Sequence, residues 1–120
     1  MSCLLQQLSY VLVFDFLSVN TVQHRYLGCF KDVSYSRAMP ELLHTFSLLS
    51  NKDIKDLCFL DTLKKDCQAF GVQFGGQCFT GPSAHLTYSK YGKASNCKDG
   101  RGGTWANDVY LVNGEQSRFQ

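Results

Sequence analysis

The side chains able to do chemistry in this chain are six cysteines, three histidines, scattered carboxylates and an aromatic-bearing stretch toward the C-terminal end. The cysteines are Cys3, Cys29, Cys58, Cys67, Cys78 and Cys97, and none stands at Cys-x2-Cys spacing. His24, His44 and His85 show no paired ligand spacing either, so a structural zinc site fits poorly. Six cysteines in 120 residues read instead as a disulfide framework, whose pairing spacing alone does not decide. A Cys–His nucleophile pair needs an activated free thiol within reach of its base. Cys67 with His85 is the one conceivable pair, and no flanking motif supports it. Glycosidase chemistry needs two opposed carboxylates, whereas Asp and Glu here are spread over loops and a helix surface. No phosphate-binding loop, dinucleotide fingerprint or metal-binding helix is present. These residues predict a non-catalytic protein without a cofactor.

Recognition is better served. Trp105, the single tryptophan, lies in Gly102-Gly103-Thr104-Trp105-Ala106-Asn107-Asp108. An indole in such a loop can stack on the apolar C–H face of a sugar ring, or it can cap the core beside the last strand. Tyr88 and Tyr91 flank Lys90, and an exposed Tyr-Lys-Tyr patch suits glycan or protein recognition because tyrosine offers area and a hydroxyl at low entropic cost. The plain alternative packs one tyrosine under its loop. Asn107 can present an amide to sugar hydroxyls, or with Asp108 close the turn before the final strand. Asp32 and Arg37 form a candidate local ion pair, worth below ~1 kcal/mol if exposed, or one of them reaches a ligand. His85 is a candidate pH-sensitive contact or an ordinary loop residue. The ligand-binding candidates are Tyr88, Tyr91, Trp105 and Asn107.

These side chains need a scaffold. Phe70, Val72 and Phe74 alternate as in a half-buried strand, Gly75-Gly76 reads as a two-residue turn, and the return strand carries Cys78. Before this hairpin, Leu57, Leu60, Leu63 and Cys67 recur at helical spacing and predict a helix over 52–67. Ser50 and Asn51 supply its N-cap, and Asp53, Asp56, Lys64 and Lys65 complement its dipole. Tyr26 to Phe30 reads as a first strand and Val109 to Val112 as a last one, with Val109 and Leu111 on one side. Residues 41–50 read as a short helix or an irregular stretch crossing the sheet. Residues 81–103 form a long connection, of the kind that is functional or pinned by a disulfide.

The length suits one domain with an N-terminal extension and a modest core. A net charge of +2 with scattered cations does not argue for nucleic acid or an anionic membrane surface. Residues 1–24 admit three readings, a weak signal peptide, a misassigned start or an extra apolar helix, and the first two together are preferred. The run from Leu8 to Val19 suits a signal peptide's apolar region, but Asp15 interrupts it and no Lys or Arg precedes it. It is also too short and polar to cross a membrane. The preferred division is an extension over 1–24, a domain over 25–113 and a polar, frayed tail over 114–120.

Several short motifs together resemble the WSC domain, a cysteine-rich extracellular module to which carbohydrate binding is attributed. The shared landmarks are Tyr26-Leu27-Gly28-Cys29-Phe30, Arg37-Ala38-Met39-Pro40, the Phe70–Gly81 hairpin, Gly102-Gly103 and Asn107-Asp108-Val109-Tyr110. The resemblance spans about Arg25 to Asn113. Three departures stand out. Thr80 replaces the second cysteine of Cys-x-Cys-Gly, Arg101 replaces the cysteine of Cys-Gly-Gly, and the helical Cys-x3-Cys pair survives only as Cys58 and a displaced Cys67. The resemblance implies a divergent domain with fewer disulfides, using Cys29, Cys58, Cys78 and Cys97. The preferred pairing is nested, Cys29 with Cys97 and Cys58 with Cys78, leaving Cys3 and Cys67 over. Closing the Cys58–Cys78 loop contributes roughly 3 kcal/mol in the chain-entropy account. The fold expected is a small disulfide-stabilised α+β domain, one main helix packed on a twisted antiparallel sheet. The function expected is non-catalytic carbohydrate recognition by a secreted or extracellular protein, the alternative being an extracellular protein–protein interaction module. The expected partner is a glycan or an extracellular protein, with no nucleic acid and no membrane insertion.

Overall fold

The computed structural model describes Cys3 and residues 23–46 and 51–113. Five antiparallel strands form one sheet: β1 (Gln23–Lys31), β2 (Glu41–Thr45), β3 (Ala69–Gln73), β4 (Gln77–Thr80) and β5 (Ala106–Asn113), in spatial order β1-β5-β3-β4-β2. Among the described residues one main helix, α1 (Asn51–Lys65), packs on one face, and a single-turn helix, α2 (Ala84–Thr87), contacts β3. This is the disulfide-stabilised α+β architecture that the sequence predicts. The tail over 114–120, the Ser50 cap and all of the 1–24 extension except Cys3 and the first two residues of β1 lie outside the described residues.

β3 is the centre, and all five of its residues are buried. The expectation of a half-buried strand is therefore corrected. Phe70 and Val72 point toward α1, joining Ile54, Cys58, Cys78, Tyr110 and Val112 in one core cluster. Ala69 belongs to a second cluster on the opposite face, with Phe30, Met39, Phe79, Ala84 and Val109. A sheet covered on both sides needs apolar or satisfied residues at every position of its middle strand. Gly71 is the small residue that this covering requires, since a Cβ there would press on Met39 Cε and the Asn107 side chain.

The hairpin loop is longer than the Gly-Gly pair implies. Gln73 pairs with Gln77, leaving Phe74, Gly75 and Gly76 between the strands. Phe74 and Gly75 both take positive φ (51° and 85°), which turns Phe74 out of the alternation and leaves it 65 % exposed. Residues 41–45 are a strand and not a helix. β2 closes the sheet edge against β4, with a register shift between Leu42 and His44 that blurs its sequence pattern.

The core face of α1 is carried by Ile54, Cys58 and Thr62, flanked by Phe59 and Leu63, whereas Leu60 is half exposed. The expected leucine arc is thus rotated. Ile54, Cys58 and Thr62 follow i, i+4, i+8 spacing, and the Cys58–Cys78 disulfide ties that stripe to β4. The helix ends as Asp66 adopts φ 63°, so that Asp66 N donates to Leu63 O and Cys67 N to Thr62 O, a Schellman closure. Besides Cys58–Cys78, disulfides join Cys29 to Cys97 and Cys3 to Cys67. The two cysteines left over by the resemblance are therefore each other's partners, and Cys3 N caps Lys65 O at 2.9 Å.

Candidate functional site

Three distant segments meet at one end of the sheet. The first is the turn after β1, where Asp32 N donates to Trp105 O at 3.0 Å. The second is the tip of the β3–β4 hairpin. Phe74 N donates to Gly103 O, Gly75 N to Arg101 O and Arg101 Nε to Gly75 O. The third is residues 101–105, which those bonds clamp against the hairpin.

A buried carboxylate organises the junction. Asp32 is 3 % exposed, and its Oδ2 accepts from Arg37 Nη1 and Gln73 Nε2, both at 2.9 Å. Its Oδ1 accepts from Ala38 N at 2.9 Å. Gln73 Nε2 also reaches Asn107 Oδ1 at 3.1 Å, and Arg37 Nη1 reaches Gln73 Oε1 at 3.3 Å. The Asp32–Arg37 pair read from sequence exists, but it is built around a buried acid and is not a loose surface pair. A buried charge is tolerated only when paired and hydrogen-bonded, and here both conditions hold.

This network holds Arg37 against two rings, its guanidinium carbon lying 4.6 Å from the Phe79 centroid and 5.1 Å from that of Trp105. Such contacts attract through the ring quadrupole. Trp105 is 46 % exposed, so its indole is half anchored and half presented to solvent. Its backbone is unusual. Residues 103–106 form a tight turn, with Ala106 N donating to Gly103 O at 3.1 Å and Gly103 N to Ala106 O at 3.0 Å. Trp105 fills the third position at φ 53°, a left-handed conformation ordinarily given to Gly or Asn.

Two concavities flank the indole. One, of about 320 Å³, is lined by Arg37, Gln73, Phe74, Gln77, Thr104 and Trp105. The other, of about 580 Å³, has Lys31, Lys93, Ser95 and Asn96 among its lining residues, with Trp105 and Thr104 shared. Asn96 Nδ2 donates to Thr104 O at 2.9 Å, bracing the turn.

Of the four ligand-binding candidates Tyr88, Tyr91, Trp105 and Asn107, Trp105 alone lines these cavities. Tyr88 is half buried, its ring edge-on to Phe30 at 5.0 Å, and it packs with the second core cluster. Tyr91 donates its hydroxyl to Ser36 O at 2.5 Å, while Lys90 reaches Ser36 Oγ at 3.3 Å, so this pair ties its loop to the turn after β1. Asn107 is 1 % exposed inside β5, neither presented to a ligand nor closing a turn, because its β-strand pairing places the amide under Gln73. Its Nδ2 has no hydrogen-bond partner among the described residues. His85 sits in α2 and lines neither cavity, and Cys67 is disulfide-bonded and so is not a thiol. Arg37, read from sequence as an ion-pair member or a ligand contact, lines the first cavity, whereas Gln73, Phe74 and Gln77 are not among the sequence candidates. The available signal was Phe74's place beside the glycine pair, where an aromatic residue leaves the strand alternation.

The chain is thus a small, triply disulfide-bonded α+β domain presenting one strained, half-exposed indole between two shallow cavities. Three disulfides fit an oxidising compartment, and no helix among the described residues is long and apolar enough to cross a membrane. No protein-family model matches the chain, and no curated protein matches it.

Proposed function

We propose that this domain is a non-catalytic carbohydrate-binding module of a secreted or extracellular protein, using Trp105 as its stacking platform. One observation carries the reading. A tryptophan occupies a left-handed turn position at a conformational cost, and it is held there by Arg37 with half of its surface free. Strained backbone of this kind persists where the surrounding structure holds it, and it clusters at binding sites. The adjoining cavity combines that flat ring with the Gln77 amide and Thr104 hydroxyl, the pairing of apolar face and hydrogen-bonding groups that a sugar ring needs. The WSC-like landmarks support the same class, since Arg37, the hairpin and Gly102-Gly103 are the segments that assemble this site.

A single shallow site binds weakly, and repetition raises avidity. The test is a glycan array probed with the oxidised chain displayed multivalently, beside Trp105→Ala verified as folded. Selective binding lost in the variant is the expected result. Binding that survives Trp105→Ala removes this site. No binding by oxidised protein favours a protein–protein module instead, for which exposed Phe74 beside Trp105 is the supporting feature.

A further inference from the structure

The two sides of Trp105 differ in charge. In the lining of the hairpin-side cavity the one cation is Arg37, neutralised by Asp32 at 2.9 Å, so this cavity offers amides, a hydroxyl and rings. On the opposite side Lys31 and Lys93 line the cavity together, and its lining includes no carboxylate. Both lysines are exposed, and neither is ion-paired among the described residues.

Backbone pairing fixes their convergence. Lys31 is the last residue of β1, opposite Ala106, the neighbour of Trp105. Residues 92–94 run along the other side of β1, with Lys31 N donating to Gly92 O and Ala94 N to Cys29 O, both at 3.0 Å. The Cys29–Cys97 disulfide pins the same segment to β1. Lys93 Nζ also lies 5.8 Å from the Phe30 ring, a contact that leaves its charge uncompensated. Two unneutralised ammonium groups thus share a concavity with Trp105.

Resting on the carbohydrate reading above, we infer that the ligand class is an acidic oligosaccharide. A sugar ring stacks on Trp105, and a uronate or sulfate on the neighbouring sugar lies between Lys31 and Lys93. A neutral glycan would leave that cavity's charge unused. An acidic peptide would use it but would have no call on the flat indole and the amide-lined side.

The test titrates the full oxidised chain with a hyaluronan hexasaccharide (carboxylates only), a chondroitin sulfate hexasaccharide (carboxylates and sulfates) and a neutral chitin hexasaccharide. Trp105, the single tryptophan, reports through its fluorescence. Exposed charge contacts contribute modestly, so two of them predict acidic sugars bound about tenfold more tightly than the neutral one at low salt. That preference should vanish as salt is raised to roughly 0.5 M, where the Debye length falls well below 10 Å. The double variant Lys31→Gln, Lys93→Gln should bind acidic sugars only as well as the neutral one, with neutral binding unchanged, while Lys31→Arg, Lys93→Arg retains the preference. A stronger response to chondroitin sulfate than to hyaluronan would identify sulfate as the anion, and equal responses would identify the carboxylate.

Equal wild-type affinity for acidic and neutral sugars overturns the inference and leaves the carbohydrate reading standing. No fluorescence response to any sugar overturns both. Polyglutamate binding as tightly as the acidic sugars, and surviving Trp105→Ala when read by titration calorimetry, would make the lysines a docking patch for acidic protein and overturn the inference.

Discussion

Replacing Asp32 by Asn keeps the shape of the side chain at the site's hub and removes its charge. The carboxylate accepts three hydrogen bonds, two at Oδ2 and one at Oδ1. An amide has one acceptor oxygen. If that oxygen faces Arg37 and Gln73, the NH2 confronts Ala38 N, and in the opposite orientation it confronts both side-chain donors. Removing one partner of a buried ion pair costs about 3–5 kcal/mol. Arg37 is a quarter exposed and recovers some hydration, so the expected loss is about 2–4 kcal/mol. With a urea m-value of about 2 kcal/mol/M, the unfolding midpoint should fall by roughly 1–2 M at unchanged slope. The assay is equilibrium urea unfolding of the oxidised chain, followed by Trp105 fluorescence and circular dichroism. Adding Arg37→Met removes the orphaned cation and should restore about 1 kcal/mol or more relative to Asp32→Asn alone. A loss below ~1 kcal/mol for Asp32→Asn would refute the account of a buried, charge-assisted hub.

Substitutions at Trp105 should reverse the usual order of glycine and alanine. Both lose the indole, but Gly tolerates φ 53° and Ala does not, so Trp105→Gly should be the more stable by about 1 kcal/mol in thermal melts. Gly102→Ala should lose about 2 kcal/mol or more in the same assay. Gly102 sits at φ 73°, a Cβ there would overlap the Val72 and Ala106 carbonyl oxygens, and its N–H donates to Asp108 Oδ2 at 2.8 Å. At alkaline pH, burial and then the hydrogen bond it donates to Asp108 push the Tyr26 hydroxyl up from 10.0 to about 12. The folded state holds that proton longer than the unfolded one, so the stabilisation is complete below pH 10 and lost as pH rises to about 12. Tyr26→Phe should flatten the fall in urea midpoint across that window, and an unchanged pH profile would contradict the assignment.

What was legible in the sequence was local. The helix over 51–65, the strands around Tyr26, Phe70 and Val109, and the return strand at Cys78 are each encoded within a few residues by spacing and turn type. β2 was not, because its edge position and register shift leave no clean alternation, and only pairing with β4 makes it a strand. The leucine arc of α1 was misplaced because its leucines lie on both sides of the stripe that the Cys58–Cys78 bond turns inward. Trp105 stood out as the single indole in a glycine-flanked loop, whereas Gln73 and Asn107 looked like ordinary polar positions in or beside strands.

The sequence by itself determined the type of protein this is: a small, cysteine-rich, disulfide-stabilised α+β domain. Those properties follow from composition and short-range patterns, which act before the chain is compact. Only the tertiary structure decided which side chains meet. Asp32, Gln73 and Trp105 come from segments far apart in the chain, and their juxtaposition depends on β3 lying between β5 and β4. The same packing buries Asn107, draws Tyr88 onto Phe30 and leaves the indole half free. Burial is set by what lies across the sheet, a long-range property that no window of neighbouring residues contains.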